Sequence, residues 1–209
     1  MPKGGGIRRI TTAMINAEVK GVSLKFNTKP SLFSPAQADR GTLAMLSKVE
    51  FTENEKVMDL GCGYGLVGIW AAKMVGPENV VMSDIDEIAV GMSKLNAKLN
   101  GVPDVAILKS DGFKNIEQTG FTCILSNPPY HSDFSVAKHF IEKGFNRLAI
   151  GGRFIMVTHR MAWYKNKFTS IFGGVRYYEE NGFIVFTAEK RSASYANSKK
   201  KQCFPIAGK

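Results

Sequence analysis

One stretch constrains the fold of this chain more than any other. Val57-Met58-Asp59-Leu60 is a short apolar run broken by one acid, Gly61-Cys62-Gly63-Tyr64-Gly65 follows without a gap, and Leu66 to Met74 carries apolar residues at helical spacing. A buried strand that turns through alternate glycines into a helix opens a parallel sheet, because glycine lets the backbone turn tightly and approach its surroundings closely. The rhythm then repeats. Val80-Val81-Met82 is a second strand, and Ile85 to Leu99 is a helix with Ile88, Met92, Leu95 and Leu99 on one face. Val105 to Leu108 and Phe121 to Leu125 are the third and fourth strands, Val136 to Leu148 is helical, and Arg153 to Thr158 is a fifth strand after Gly151-Gly152. Alternation of this kind predicts a doubly wound α/β fold, a mostly parallel sheet with helices on both faces.

The pattern closes differently from how it runs. Met161 to Phe172 is helical, and Val175 to Tyr178 and Phe183 to Thr187 are strands joined by Glu179-Glu180-Asn181-Gly182. Asn-Gly at such a junction signals a hairpin, so seven strands are expected, the last two antiparallel. Before Lys56, Val22 to Phe26 alternates like an exposed strand and Arg40 to Val49 reads as a helix. This small β/α appendage, residues 1–55, is expected to cover the mouth of the main sheet. Residues 56–190 form the core and 191–209 a basic tail.

Charge is placed unevenly along this chain. Its 209 residues carry a formal +10, of which residues 1–29 contribute +5, residues 30–189 contribute −1 and residues 190–209 contribute +6. Basic arms on a neutral centre suit a polyanion such as nucleic acid. No apolar run approaches the ~20 residues needed to span a bilayer, and Met1-Pro2-Lys3-Gly4-Gly5-Gly6 lacks the apolar stretch of a secretory leader. Cys62, Cys123 and Cys203 are distant and odd in number, which fits neither a disulfide framework nor a zinc site. A cytoplasmic protein without a metal is expected.

Candidate site residues stand where strands end. Asp59 precedes the glycines, and from Gly61 the sixth position is Leu66, so the spacing is not that of a dinucleotide loop. An acid there opposes a pyrophosphate and suits a cation such as a sulfonium carrying an α-ammonium group. Asp84 ends the second strand, where a carboxylate can accept from two ribose hydroxyls; Asp86 is as well suited to cap the next helix. Asp111-Gly112 follows the third strand, either as an acceptor for an exocyclic amine or as a turn. Ser126-Asn127-Pro128-Pro129-Tyr130 follows the fourth. Its prolines hold the backbone extended without N–H groups, so the Asn127 oxygen and the Pro128 carbonyl become fixed acceptors for a planar amine, and Tyr130 can stack on a base. His131, His139 and His159 show no metal spacing.

Taken in order, residues 56–189 with Asn127-Pro128-Pro129-Tyr130 resemble the class I S-adenosylmethionine-dependent methyltransferases, a Rossmann-like group. In that class Asn-Pro-Pro-Tyr accompanies transfer to adenine N6, guanine N2 or the glutamine amide of release factors. Leu32-Phe33-Ser34-Pro35-Ala36-Gln37-Ala38-Asp39-Arg40-Gly41-Thr42 is similar to a segment of the small-subunit ribosomal RNA guanine-N2 methyltransferases, and Phe172-Gly173-Gly174-Val175 leading into Phe183-Ile184-Val185-Phe186 is also similar to that group. The resemblance spans roughly residues 20–190. It implies that Phe33, Asp39 and Thr42 lie near S-adenosylmethionine, that Asp59, Gly61 and Gly63 hold its methionine part, and that Asp84 holds its ribose and Asp111 its adenine. The neighbouring Cys62, Ile85 and Gly112 are counted with them. Asn127, Pro128 and Tyr130 would hold the target, with Asn127 also near the cofactor. Two-lobed members carry a further N-terminal half, which the basic ends are expected to replace in a monomer acting on ribosomal RNA. Transfer to a release-factor glutamine, transfer to adenine N6 of a nucleic acid and a non-catalytic RNA-binding module are the competing expectations.

Overall fold

The computed structural model describes residues 13–129 and 134–196. A hairpin comes first: β1 (Ala13–Val19) and β2 (Val22–Thr28) pair antiparallel. Its two-residue turn, Lys20-Gly21, takes positive φ at both positions, the backbone that matches a right-handed strand twist. Only β2 is legible in the sequence. Of the seven residues in β1, Ile15 and Val19 alone are buried, so the alternation is too weak to announce a strand.

The main sheet comprises β3 (Val57–Leu60), β4 (Val80–Asp84), β5 (Ala106–Lys109), β6 (Phe121–Ser126), β7 (Leu148–Thr158), β8 (Arg176–Glu180) and β9 (Phe183–Glu189). Their spatial order is β5-β4-β3-β6-β7-β9-β8, with β9 antiparallel to both neighbours and the other pairs parallel. The expected seven strands and closing hairpin are present, with Asn181-Gly182 at positive φ in the turn. β7 starts five residues earlier than expected, and its register with β6 shifts near Phe121.

Side chains alternate strictly between two cores. Val57, Val80, Cys123, Leu125, Ile155, Val157 and Val185 join one, while Met58, Val81, Ile124, Phe154, Met156, Ile184 and Phe186 join the other. The period of two is the pleat itself. Helices α1 (Arg40–Ser47), α2 (Leu66–Val75) and α3 (Glu87–Leu99) cover the first face. Helices α4 (Phe134–Arg147) and α5 (Ala162–Phe172) cover the second. Ala44, Met45 and Leu46 of α1 share the core of Ile69, Trp70 and Val157. The part of the N-terminal unit that reaches the mouth of the sheet is the loop before α1.

Helix α3 departs from expectation. Of the four residues expected on its buried face, only Met92 is buried; Ile88, Leu95 and Leu99 are 44%, 57% and 44% exposed. The inward side is instead Ala89, Val90, Met92, Ser93, Asn96 and Ala97. Asn96 accepts from the Asn27 N–H at 2.8 Å and donates to the Asn27 and Tyr64 carbonyls at 2.9 and 2.8 Å. Asn100 makes the same pair of bonds with Lys25, one turn on. Leaving Leu95 outside forgoes about 2 kcal/mol of burial. The bond to the Tyr64 carbonyl is buried and the two to Asn27 are part-buried; leaving such groups without partners costs up to about 1–3 kcal/mol each, so the amide faces inward.

Candidate functional site

The chain runs outward from β3 through β4 to β5 and then crosses to β6 on the other side of β3. Ligands of open α/β sheets bind beyond the strand ends at such a reversal. A cavity of about 340 Å³ lies there, bordered by the ends of β3, β4, β5 and β6. It brings together Phe33, Asp39, Thr42, Asp59, Gly61, Cys62, Gly63, Asp84, Ile85, Asp111, Gly112, Asn127 and Pro128. Tyr130 lies outside the described residues. Among the described residues no three His, Cys, Asp or Glu side chains gather as a metal site, and no helix is long and apolar enough to cross a membrane.

One wall is built by local backbone. Gly61, Gly63 and Gly65 all hold positive φ, and the N–H groups of Gly61 and Cys62 both donate to the Ser83 carbonyl at 2.9 Å. Asp84 accepts from the Gly63 N–H at 2.8 Å and the Asp86 N–H at 2.9 Å, which ties the glycine turn to the end of β4. Asp86 caps α3 by accepting from the Ile88 N–H at 2.8 Å, while its chain still borders the cavity.

Asp59 sits deepest, at 2% exposure, and accepts from the Gly68 N–H at 2.8 Å. Gly65, the N-cap of α2, has no side chain to offer, so Asp59 serves the open N–H groups of that helix from the neighbouring strand. The fit requires Gly68: a Cβ there would come within 2.4 Å of Met82 and 2.9 Å of the Asp59 carboxylate. Burial raises the Asp59 carboxyl to about 7, the Gly68 bond offsets part of this, and the Asp84 charge adds to the rise. A positive ligand would favour the ionised form. Burial and the same two carboxylates push the Cys62 thiol well above its ordinary range, so Cys62 is a neutral packing residue on the wall.

A second wall, on the strand beside the first, is assembled from distant segments. The Asn127 Nδ2 donates to Asp39 Oδ1 and to Thr42 Oγ1, both at 2.8 Å. Asp39 is also the N-cap of α1, accepting from the Thr42 N–H at 2.7 Å and the Thr42 hydroxyl at 3.1 Å. With both amide hydrogens committed, the orientation of the Asn127 amide is set. Ser126 donates to the Leu60 carbonyl at 2.8 Å, which ties β6 to β3 immediately before Asn127.

Several lining residues have no counterpart among the sequence candidates. Leu32, Tyr64, Leu66, Val67, Ala89, Val136 and Phe140 supply the apolar surface. Val136 and Phe140 are four apart on α4, a helical spacing that points both to one side. Tyr64 packs on Phe26 of β2 with ring centroids 5.4 Å apart, and burial followed by the Asp39 charge raises its phenol. Asn96 was detectable as a polar residue between Met92 and Ala97 on an otherwise small and apolar side. The basic ends fall only partly within the described residues. There Lys190 is buried, donates to the Leu148 carbonyl at 2.7 Å and has its ammonium shifted down by burial. It anchors the end of β9 rather than adding to a solvated tail.

Known proteins resemble this chain in sequence and fold. The methyltransferase small domain model matches residues 23–187. The ribosomal RNA small subunit methyltransferase C of Pseudoalteromonas atlantica is 30% identical over 164 residues, covering 76% of this chain and 47% of that protein. The uncharacterized protein YbxB of Bacillus subtilis is 32% identical over 137 residues, covering 65% of this chain and 68% of that one. Among solved structures, the T. thermophilus 16S rRNA N2 methyltransferase RsmC, in complex with AdoMet and guanosine, superposes with a TM-score of 0.80 at 27% identity, covering 86% of this chain and 51% of that chain. The chain thus spans about half the length of the methyltransferase C relatives it matches. With the model spanning most of its length and the fold alike, the chain belongs to the methyltransferase small domain family.

Proposed function

We propose that this chain transfers the methyl group of S-adenosylmethionine to an exocyclic amine of RNA, and specifically to guanine N2 in ribosomal RNA. The observation that carries the proposal is the Asn127 amide, held by Asp39 and Thr42 in the cavity that Asp59 also lines. The cavity size lies within the usual range for small-molecule sites, and its two ends differ in chemistry as the cofactor requires. Asp59 answers the positive methionine end, and its raised carboxyl fits a place where a cation completes the charge balance. Asp84 answers the ribose hydroxyls and Asp111 the adenine amine. Phe33, Ile85, Cys62 and Gly112 border the same space.

Bound there, S-adenosylmethionine supplies an electrophilic sulfonium methyl. The chain's own task is the amine. A guanine N2 lone pair is delocalised into the ring, which makes it a poor nucleophile. The Asn127 oxygen and the Pro128 carbonyl accept from its two hydrogens, favour a more pyramidal nitrogen and stabilise the positive charge that develops on it. Tyr130 stacks on the base and fixes its plane. Once methylated, N2 carries a positive charge that makes its extra proton acidic enough for water to take, so no strong general base is needed and placement and electrostatics carry the step. The methyltransferase C relatives and the AdoMet and guanosine found in the RsmC structure support this choice of substrate and cofactor. The basic ends contribute RNA affinity.

The test is radiolabelled methyl transfer offered side by side to small ribosomal subunits, naked ribosomal RNA and release factor. Label should appear in RNA and, after digestion, in N2-methylguanosine. Label in release factor with unlabelled RNA would assign the amide-acceptor site to a glutamine instead.

A further inference from the structure

The chain has two tryptophans. Trp70 is fully buried in the core between the sheet and α2. Trp163 is only half-buried and stands in the first turn of α5, just beyond the end of β7. Its indole stacks on Phe134 with centroids 4.3 Å apart and planes inclined by 17°. The Arg160 guanidinium lies 5.0 Å from the centre of the same Phe134 ring. Tyr164 supports the group from below: it meets Trp163 edge-on at 5.0 Å and stacks on Phe186 of the core. The result is a stack of one cation and two aromatic rings on a rigid base.

Its position matters. Phe134 opens α4 two residues before Val136, which lines the cavity; that spacing turns Phe134 to the other side of the helix, outside the cavity lining. Ser126 is in register with Met156, so the end of β7 at Thr158 lies level with Pro128. The stack therefore stands outside the cavity, at the same end of the sheet as Asn127 and beyond the end of β7.

The stretch through α5 is basic, although Asp133 directly precedes Phe134 in the sequence. Residues 158–178 contain Arg160, Lys165, Lys167 and Arg176 and no acid, so the neutrality of the central 160 residues is an average over unlike regions. Lys167 pairs with Glu142 of α4. Lys165 lies 5.1 Å from the centre of the Tyr177 ring, on the far side of α5, and Tyr177 and Arg176 are exposed on the edge strand β8. Cations interleaved with aromatic faces in this way suit single-stranded nucleic acid: rings take bases and cations take phosphates.

We propose that Arg160, Phe134 and Trp163 form a subsite for a nucleotide flanking the target guanine in single-stranded RNA. A neighbouring base stacks with Trp163 while Arg160 meets the phosphate that joins it to the target. The proposal rests on the reading of this site as an RNA methyltransferase. A packing role alone, pinning α4 to α5, would make the stack matter for stability and for nothing that depends on RNA length.

The two roles separate in one experiment on the full chain. The probes are guanosine and a guanine-containing single-stranded oligoribonucleotide of ~10 nucleotides, a length within the usual site size. Because Trp70 is buried, fluorescence quenching by the oligonucleotide reports Trp163. The oligonucleotide should quench it. Trp163→Leu should weaken oligonucleotide affinity about tenfold or more, and Trp163→Phe should recover most of it, with transfer to guanosine unchanged in both. Arg160→Gln should reduce the slope of log affinity against log salt by about 0.7. Unchanged oligonucleotide affinity in Trp163→Leu would overturn the subsite, and so would an equal loss toward guanosine and oligonucleotide. Wild-type protein that quenches with RNA but labels neither probe would instead count against the methyl-transfer reading and leave the subsite standing.

Discussion

The two walls of the cavity are built in opposite ways. The wall with Asp59 and Asp84 is local: Gly61, Cys62, Gly63 and Gly68 bond directly to groups at the ends of β3 and β4. The wall with Asn127 is long-range, because the amide is held by Asp39 and Thr42, 88 and 85 residues earlier in the chain. On the proposed function, the first wall binds the cofactor and the second acts on the amine. A local wall forms with the sheet itself. The long-range wall exists only once α1 has docked, so it can be disturbed without unmaking the first.

That division can be attacked from either side. The largest effect is expected at Asn127, where Asn127→Ala should lower methyl transfer to RNA roughly 10²–10³-fold, the scale of losing one preorganised charge-stabilising group. The mirror experiment is Asp59→Asn. It should weaken S-adenosylmethionine binding roughly 10–100-fold, the loss of one charge-assisted contact, while transfer at saturating cofactor stays near wild type. Thermal stability at pH 8 should hold or rise, since a buried charge is removed and an oxygen remains for the Gly68 N–H. A drop in both affinity and stability would make Asp59 a structural residue.

Asp39 probes the joint between the walls. Asp39→Ala should lower kcat for RNA about tenfold while costing about 1 kcal/mol of stability as a lost helix cap. Asp39→Asn retains an accepting oxygen and should restore most of the rate. Equal defects in the two variants, matched by their melting temperatures, would reduce Asp39 to a cap.

The smallest effect is a pH dependence. Burial pushes the Asp59 carboxyl up to about 7 in the folded protein, from an ordinary 3.8. A raised carboxyl leaves the native state holding a proton that the unfolded chain has released, so this group costs stability as pH rises from about 4 to about 7. A cationic ligand favours the ionised form, so cofactor binding should tighten by up to about tenfold per pH unit on approaching 7 and flatten above it. A flat profile between pH 5.5 and 8, measured by calorimetry, would separate Asp59 from the cofactor.

The same contrast explains what could be seen in the sequence. Asp59, Gly61, Gly63, Asp84 and Asp111 follow strand ends and declare themselves by position, and the seven strands show through their pleat period. The segment from Phe33 to Thr42 was expected near the cofactor by resemblance, but its bond to Asn127 could not be found by spacing, because nothing local links residues 88 apart. Helix α3 misled for a different reason. Ile88, Leu95 and Leu99 satisfy helical amphipathy, yet hydrogen bonds from Asn96 to β2 and to Tyr64 decide which side faces in. Strand β1 depends on its partner, and Lys190 is buried because of the carbonyl it meets. Summed charge hid the basic stretch from Arg160 to Arg176 behind acids elsewhere in the central region.

The division of labour between the walls is tested most directly by titrating S-adenosylmethionine into Asn127→Ala in a calorimeter. Affinity within about twofold of wild type, in a protein that no longer methylates RNA, is the predicted result. Affinity that falls in proportion to the lost transfer would contradict it and make the two walls a single unit.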